Sequence, residues 1–169
     1  MVKLNFATIK EGHSFFEEDV DAVDIDLAEF DEFAHVVHIV HDLEKVGNDV
    51  YIKTTLSTTV NLICDVCLDS YNLNLYENIK IILTKDNELV EPGEEDVYLV
   101  TDTTTEIDIT DSLRQTLILA VPFKKTCREN CKGLCSKCGA NLNHEQCTCI
   151  NEKTDSRWDA LKKITFYIE

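Results

Sequence analysis

Proline and glycine are scarce in this 169-residue chain, at two and five residues. So few breakers argue against long flexible linkers. No apolar run approaches the roughly 20 residues that a membrane-spanning helix needs. The first ten residues, Met1 to Lys10, carry no apolar core of a secretory signal. The expected location is therefore the cytoplasm, with no membrane partner. The chain also lacks a phosphate-cradling P-loop, a Gly-x-Ser-x-Gly nucleophile turn and a His-Glu-x-x-His helix. Paired acids such as Glu17-Glu18 and Glu94-Glu95 fall inside charge runs, where carboxylates are solvated. No catalytic constellation emerges, so neither an enzyme nor a small-molecule substrate is expected.

Basic residues are unevenly missing. Residues 11–33 contain no Lys or Arg at all. The formal net charge is −16, which opposes generic nucleic-acid binding. Its distribution is lopsided. Residues 121–169 carry nine Lys/Arg and six Asp/Glu, whereas the preceding 120 carry seven and 26. The division expected is an acidic, β-rich body over 1–120 and a mildly basic, cysteine-rich module over 121–169. Such asymmetry suits a protein that offers one face to RNA or a ribonucleoprotein while the rest is repelled from it. The plainer alternative is that the charge serves solubility alone.

The patterning favours strands. Residues 3–9 alternate roughly and predict a first strand. Residues 11–33 scatter Phe15, Phe16, Val20, Val23, Ile25, Leu27, Phe30 and Phe33 among acids, and read as an irregular, partly buried arm for a partner. Residues 34–46 and 49–63 are rich in Val, Ile, Thr and Tyr, and Gly47-Asn48-Asp49 supplies a hairpin turn. Residues 71–84 predict another long strand, 85–96 an acidic loop, and 97–100 and 105–109 short strands. Thr110 or Asp111 can cap a helix to about 120, with Leu113 and Leu117 inward and Pro122 ending it. A second amphipathic helix is predicted over 155–166, with Trp158, Leu161 and Phe166 inward. The fold class expected is α+β: an antiparallel sheet or partly closed barrel with two short helices and a C-terminal zinc module.

Six of the eight cysteines lie between Cys127 and Cys149. In a reducing compartment such clustering points to metal before disulfides. Cys135-Ser-Lys-Cys138-Gly139 has the spacing of a zinc knuckle, and Cys147-Thr-Cys149 can complete a tetrahedron, with His144 able to replace one of the last two. A second zinc would need Cys64 and Cys67 to meet Cys127 and Cys131, which spacing alone does not decide. Free cysteines, or a thiol-redox pair, are the alternatives. The redox reading lacks the βαβ context that such pairs occupy. His35, His38 and His41 read as ordinary strand residues.

Lys124, Lys125, Arg128, Lys132 and Lys137 interleave with the cysteines, where they can meet phosphate oxygens or simply face water. Phe123 is the one Phe, Tyr or Trp in this region before Trp158, so base stacking is not indicated.

The chain resembles a known family. The resemblance is carried by Cys64-Asp-Val-Cys67-Leu68, by Asp108-Ile-Thr-Asp-Ser-Leu-Arg-Gln-Thr-Leu-Ile-Leu-Ala-Val-Pro122, by Cys131-Lys-Gly-Leu-Cys-Ser-Lys-Cys-Gly-Ala-Asn-Leu-Asn143, by Cys147-Thr-Cys149 and by Asp155-Ser-Arg-Trp-Asp-Ala-Leu161. Together these look like the YceD family of bacterial and plastid proteins, named for large ribosomal RNA subunit accumulation. Membership implies a non-enzymatic part in accumulating or processing large-subunit (23S) ribosomal RNA. The implied partner is that RNA or a pre-ribosomal particle. An alternative is a zinc-stabilised module whose acidic body grips a basic ribosomal protein or assembly factor. Val66 and Gln115 stand where members often carry Arg and Glu.

Overall fold

The computed structural model describes residues 1–5, 8–86, 96–101 and 103–149. Its centre is a meander of four antiparallel strands: β2 (Gly12–Val20), β3 (Val37–Val46), β4 (Asp49–Ile63) and β5 (Ser70–Thr84). A short fifth strand, β6 (Val97–Leu99), joins β5 in parallel, giving the order β2-β3-β4-β5-β6. Separately, β1 (Lys3–Asn5) pairs with β7 (Glu106–Asp108). One helix, α1 (Thr110–Ala120), packs against β5 and a short 3-10 turn at Ala22–Ile25.

Alternation sets which face is buried, because successive strand residues point to opposite sides. On β4 the buried set is Val50, Ile52, Thr54, Leu56, Thr58, Val60 and Leu62. On β3 it is Val37, Ile39, His41 and Leu43. The opposite face is polar, and Thr55 and Thr59 donate across it to Asn78 and Asn74 at 2.8 and 2.9 Å. The β3–β4 turn works because Gly47 takes φ +62° at the first central position, as a two-residue type II′ hairpin demands.

Helix α1 covers the inner face with Leu113 and Leu117, four residues apart and fully buried. Its cap differs from expectation. The Asp108 carboxylate accepts from the Thr110 amide at 2.9 Å, while the Thr110 hydroxyl accepts from the Val2 amide at 2.8 Å. The helix start is thereby tied to the chain's first residues.

Two expectations change, and one falls outside the described residues. Instead of a partly closed barrel, the sheets are open: among the described residues β2 and β6 do not pair. A three-residue β6, parallel to its neighbour, is too short to curl the sheet shut. The fold is mostly β with one α-helix among the described residues, and the predicted helix at 155–166 lies outside them. Residues 11–33 are irregular and partly buried only in their second part. Their first part is the edge strand β2, and their second buries Ile25, Leu27 and Phe33 in the core.

Candidate metal centre and its basic rim

The turn between β4 and β5 is a knuckle. Cys64 and Cys67 close it, with the Cys64 amide donating to the Asp69 carbonyl and the Leu68 amide to the Cys64 carbonyl, both at 2.9 Å. Leu68 sits at φ +63°, an uncommon conformation for a branched side chain. Both cysteines are buried, at 0% and 2% exposure.

After α1, Pro122 stops the helix and the chain crosses back to this knuckle. The Asp65 amide donates to the Lys125 carbonyl at 2.8 Å, and the Lys125 amide to the Asp65 carboxylate at 2.7 Å. This two-way clasp delivers Cys127 and Cys131. The Cys127 sulfur lies 3.7 Å from that of Cys67, and the Cys131 sulfur 3.9 Å from that of Cys64. A tetrahedron of thiolates around zinc, each near 2.3 Å from the ion, separates its sulfurs by about 3.8 Å. Cys64, Cys67, Cys127 and Cys131 thus form one tetrad able to hold a metal ion, and its donor set suits zinc.

The chain then folds locally into a second tetrad of Cys135, Cys138, Cys147 and Cys149. The Gly139 amide donates to the Cys135 carbonyl at 2.9 Å, and Gly139 takes φ +73°. Sulfur separations here are 3.3 Å for Cys135–Cys147 and 3.5 Å for Cys138–Cys147. This site is shallower, with Cys138 exposed. None of the eight cysteines is in a disulfide.

Hydrogen bonds to sulfur lower Cys64 and Cys131 in the first tetrad, Cys131 chiefly through the Asn143 amide group, and Cys135 in the second. Burial resists ionisation of Cys64, but amides of Cys127, Cys67 and Val66 aimed at its sulfur bring its thiol down to about 6. Amides of Cys138 and Lys137 bring Cys135 down to about 6 as well. Ionised sulfur is the form that binds metal.

Asp69 joins the knuckle to the module. One carboxylate oxygen accepts from the Asn141 amide group and meets the His144 imidazole, each at 2.9 Å, and also faces the Cys67 sulfur at 3.4 Å. His144, followed by Asn141, holds the Asp69 carboxyl below its ordinary range. His144 is therefore a clasp to Asp69 and belongs to neither tetrad. Asn143 gives its amide group to the Cys131 sulfur at 3.4 Å and accepts the Lys132 amide at 2.9 Å. Gly133 presses on the knuckle: a Cβ there would stand 2.8 Å from Val66 Cγ1. Sequence reasoning misses Asp69, Asn141, Asn143 and Gly133 as site residues. The only sequence signal for Asp69 is its place two residues after Cys67.

The histidines of β3 are elsewhere. His41 is buried and bonded to the Thr54 hydroxyl at 2.8 Å, and His38 meets Asp19 at 2.7 Å. His35 precedes the strand.

Of the five basic residues, Lys124, Arg128, Lys132 and Lys137 are exposed around the tetrads. Lys125 is half-buried, and its ammonium contacts the Glu32 carboxylate at 2.9 Å. That bond holds Glu32 below its ordinary range and lifts Lys125 above its own. Lys125 thus ties the module to the segment between the 3-10 turn and β3. Phe123, beside this rim, is fully exposed.

Known proteins are similar to this chain in sequence. The large ribosomal RNA subunit accumulation protein YCED homolog 1, chloroplastic, of Arabidopsis thaliana is 26% identical over 154 residues, covering 76% of this chain and 47% of that one. The protein of the same name from Zea mays is 29% identical over 122 residues, covering 54% of this chain and 41% of that one. The chain spans about half the length, or less, of the curated relatives it matches. No solved structure matches it. The family model described as large ribosomal RNA subunit accumulation protein YceD matches residues 52–165, over half of the chain and all eight cysteines, and this chain belongs to that family.

Proposed function

We propose that this protein is a non-enzymatic, cytoplasmic ribosome-biogenesis factor that supports accumulation of large-subunit ribosomal RNA by contacting that RNA, its precursor or a pre-ribosomal particle. The observation that carries the reading is the basic rim. Lys124, Arg128, Lys132 and Lys137 stand exposed on loops whose paths two cysteine tetrads and the Asp69 clasp determine.

Bound zinc would draw four thiolates together in each tetrad and fix the loop geometry, and a four-sulfur set leaves no open position for chemistry. The chain's own residues do the rest. The amides of Cys127 and Val66 orient Cys64, Asp65 clasps the Lys125 backbone, and Asn143 positions Cys131 and Lys132. Exposed cations on rigid loops recognise the spacing of phosphates and carry little base information. The acidic body, with 26 Asp/Glu against seven Lys/Arg over residues 1–120, repels RNA elsewhere. Contact is thereby confined to the rim.

The test is zinc-loaded protein titrated with large-subunit ribosomal RNA across a salt series. Changing Lys124, Arg128, Lys132 and Lys137 together to Ser should weaken binding. The salt slope should fall by about 0.7–0.9 for each phosphate that is no longer neutralised. Lys125 is left unchanged, because its loss also unties Glu32. An unchanged affinity and slope would remove the rim from the mechanism.

A further inference from the structure

We propose that the free edge of β2 takes up an extended, Lys/Arg-rich peptide segment as a further strand of the sheet. Among the described residues β2 pairs on one side alone, with β3, in an unbroken register from Gly12↔Lys45 to Val20↔Val37. A strand edge presents a row of unpaired amides and carbonyls, which is a template for another strand. Natural edges are blunted by charged side chains, proline, a bulge or a very short length. The nine residues of β2 contain no proline and no bulge, and their guarding charges, Glu17, Glu18 and Asp19, are all acidic, so they turn away an acidic strand and admit a basic one. The opposite edge, β6, is only three residues long. Among the described residues the long edge is thus the open one.

Side chains define the partner. His13, Phe15, Glu17 and Asp19 project to the polar face; Ser14, Phe16, Glu18 and Val20 project toward the core side, opposite Leu43, His41, Ile39 and Val37. Phe15 is 67% exposed and Phe16 39%, so both faces of the strand's middle offer apolar surface to an added neighbour. Glu17, Glu18 and Asp19 follow directly, and no Lys or Arg occurs between residues 11 and 33. Opposite charges on neighbouring strands attract, and like charges repel. RNA is repelled by this edge. A second copy would bring together two 11–33 segments without Lys or Arg, on two chains of net charge −16 each. A peptide with cations at alternate positions and apolar residues between them satisfies the ladder, the phenylalanines and the acids together.

The test uses the full, zinc-loaded chain and a fluorescein-labelled nonapeptide of alternating Lys and Val. Two controls are the same peptide with its two central valines in D form, and one with Glu for every Lys. Anisotropy should show binding of the first. The D-valine peptide, equal in charge but unable to extend the ladder, should bind about tenfold more weakly. The Glu peptide should not bind. The Glu17→Lys, Asp19→Lys double variant, checked for an unchanged β spectrum, should lose binding by about tenfold or more. Equal binding of the D-valine peptide would overturn the proposal in favour of simple charge attraction. Displacement of the peptide by oligouridine, or a β2-dependent dimer in sedimentation, would overturn it in favour of RNA or a second copy. No RNA enters the primary titration, so its outcome is independent of the fate of the RNA reading.

Discussion

Gly133→Ala should loosen the module from the sheet, and the cost can be worked from two terms. Gly133 has φ +71°, where an L residue costs about 1–2 kcal/mol more than glycine. The added methyl would also stand 2.8 Å from Val66 Cγ1 and 3.1 Å from the Val66 carbonyl oxygen. Overpacking of that kind costs about 1–3 kcal/mol. The sum is about 2–5 kcal/mol. It falls on the turn that carries the Leu134 amide to the Val66 carbonyl at 3.2 Å. Gly139→Ala is the matched control, since Gly139 has φ +73° but nothing within 4 Å of its would-be Cβ. It should cost the backbone term alone, about 1–2 kcal/mol. Val66→Ala removes the nearest obstructing atom but leaves the Val66 carbonyl oxygen at 3.1 Å, so Gly133→Ala in that background should cost less than in the unchanged chain and still more than Gly139→Ala. The assay is urea denaturation at fixed free zinc, with each variant's zinc content measured in parallel. Equal losses for the two glycine variants, or no relief from Val66→Ala, would refute the packing account.

Cys138→Ser should lower bound zinc from two ions per chain to one in elemental analysis, while leaving the β-sheet spectrum intact, because Cys138 is exposed and belongs to the local tetrad. Asp69→Ala removes the partner of Asn141, His144 and Cys67, and should weaken zinc retention at the first tetrad by about 10–100-fold in chelator competition. His41 gives a pH signature. Burial among core side chains, beneath Phe16 and beside Thr54, depresses its pKa, and Glu18, 3.4 Å away on β2, only partly opposes this. The unfolded chain therefore binds this proton first. The histidine's contribution is complete above about pH 6.5 and is lost as pH falls below it, at up to about 1.4 kcal/mol per unit until the folded-state value is reached. His41→Gln, compared with the unchanged chain at each pH, should flatten that slope; identical slopes would refute the assignment.

Much of the body is legible in the sequence because local chemistry and tertiary demand agree there. The β-branched runs of β3 and β4, with Gly47 between them, specify the same hairpin by propensity, pattern and turn type. Leu113 and Leu117 announce the buried face of α1. The edge strand β2 is not legible, because its core-side positions include Ser14 and Glu18 and so break the alternation that marks a half-buried strand. The local tetrad follows from spacing. The distant one depends on where a 15-residue strand pair and an 11-residue helix place their ends, and no pairwise spacing encodes that. Lys125 looks like its basic neighbours in sequence, yet it points at Glu32, a partner 93 residues away along the chain.

The two tetrads differ in the length of chain each would tie off. A metal ion at the first would join Cys67 to Cys127, 60 residues apart. At the second it would join cysteines 9 and 12 residues apart. By the loop-closure estimate used for covalent cross-links, the first restrains the unfolded chain by about 4 kcal/mol and the second by less than about 3. Filled, the deep site would therefore be a staple across the fold, since its four sulfurs meet only where the β4–β5 knuckle and the segment after α1 come together. The shallow one can be filled by a short stretch of chain acting alone. In a zinc-poor cell the two would fail in different ways, the shallow site by local fraying and the deep one by loosening the union of sheet and module.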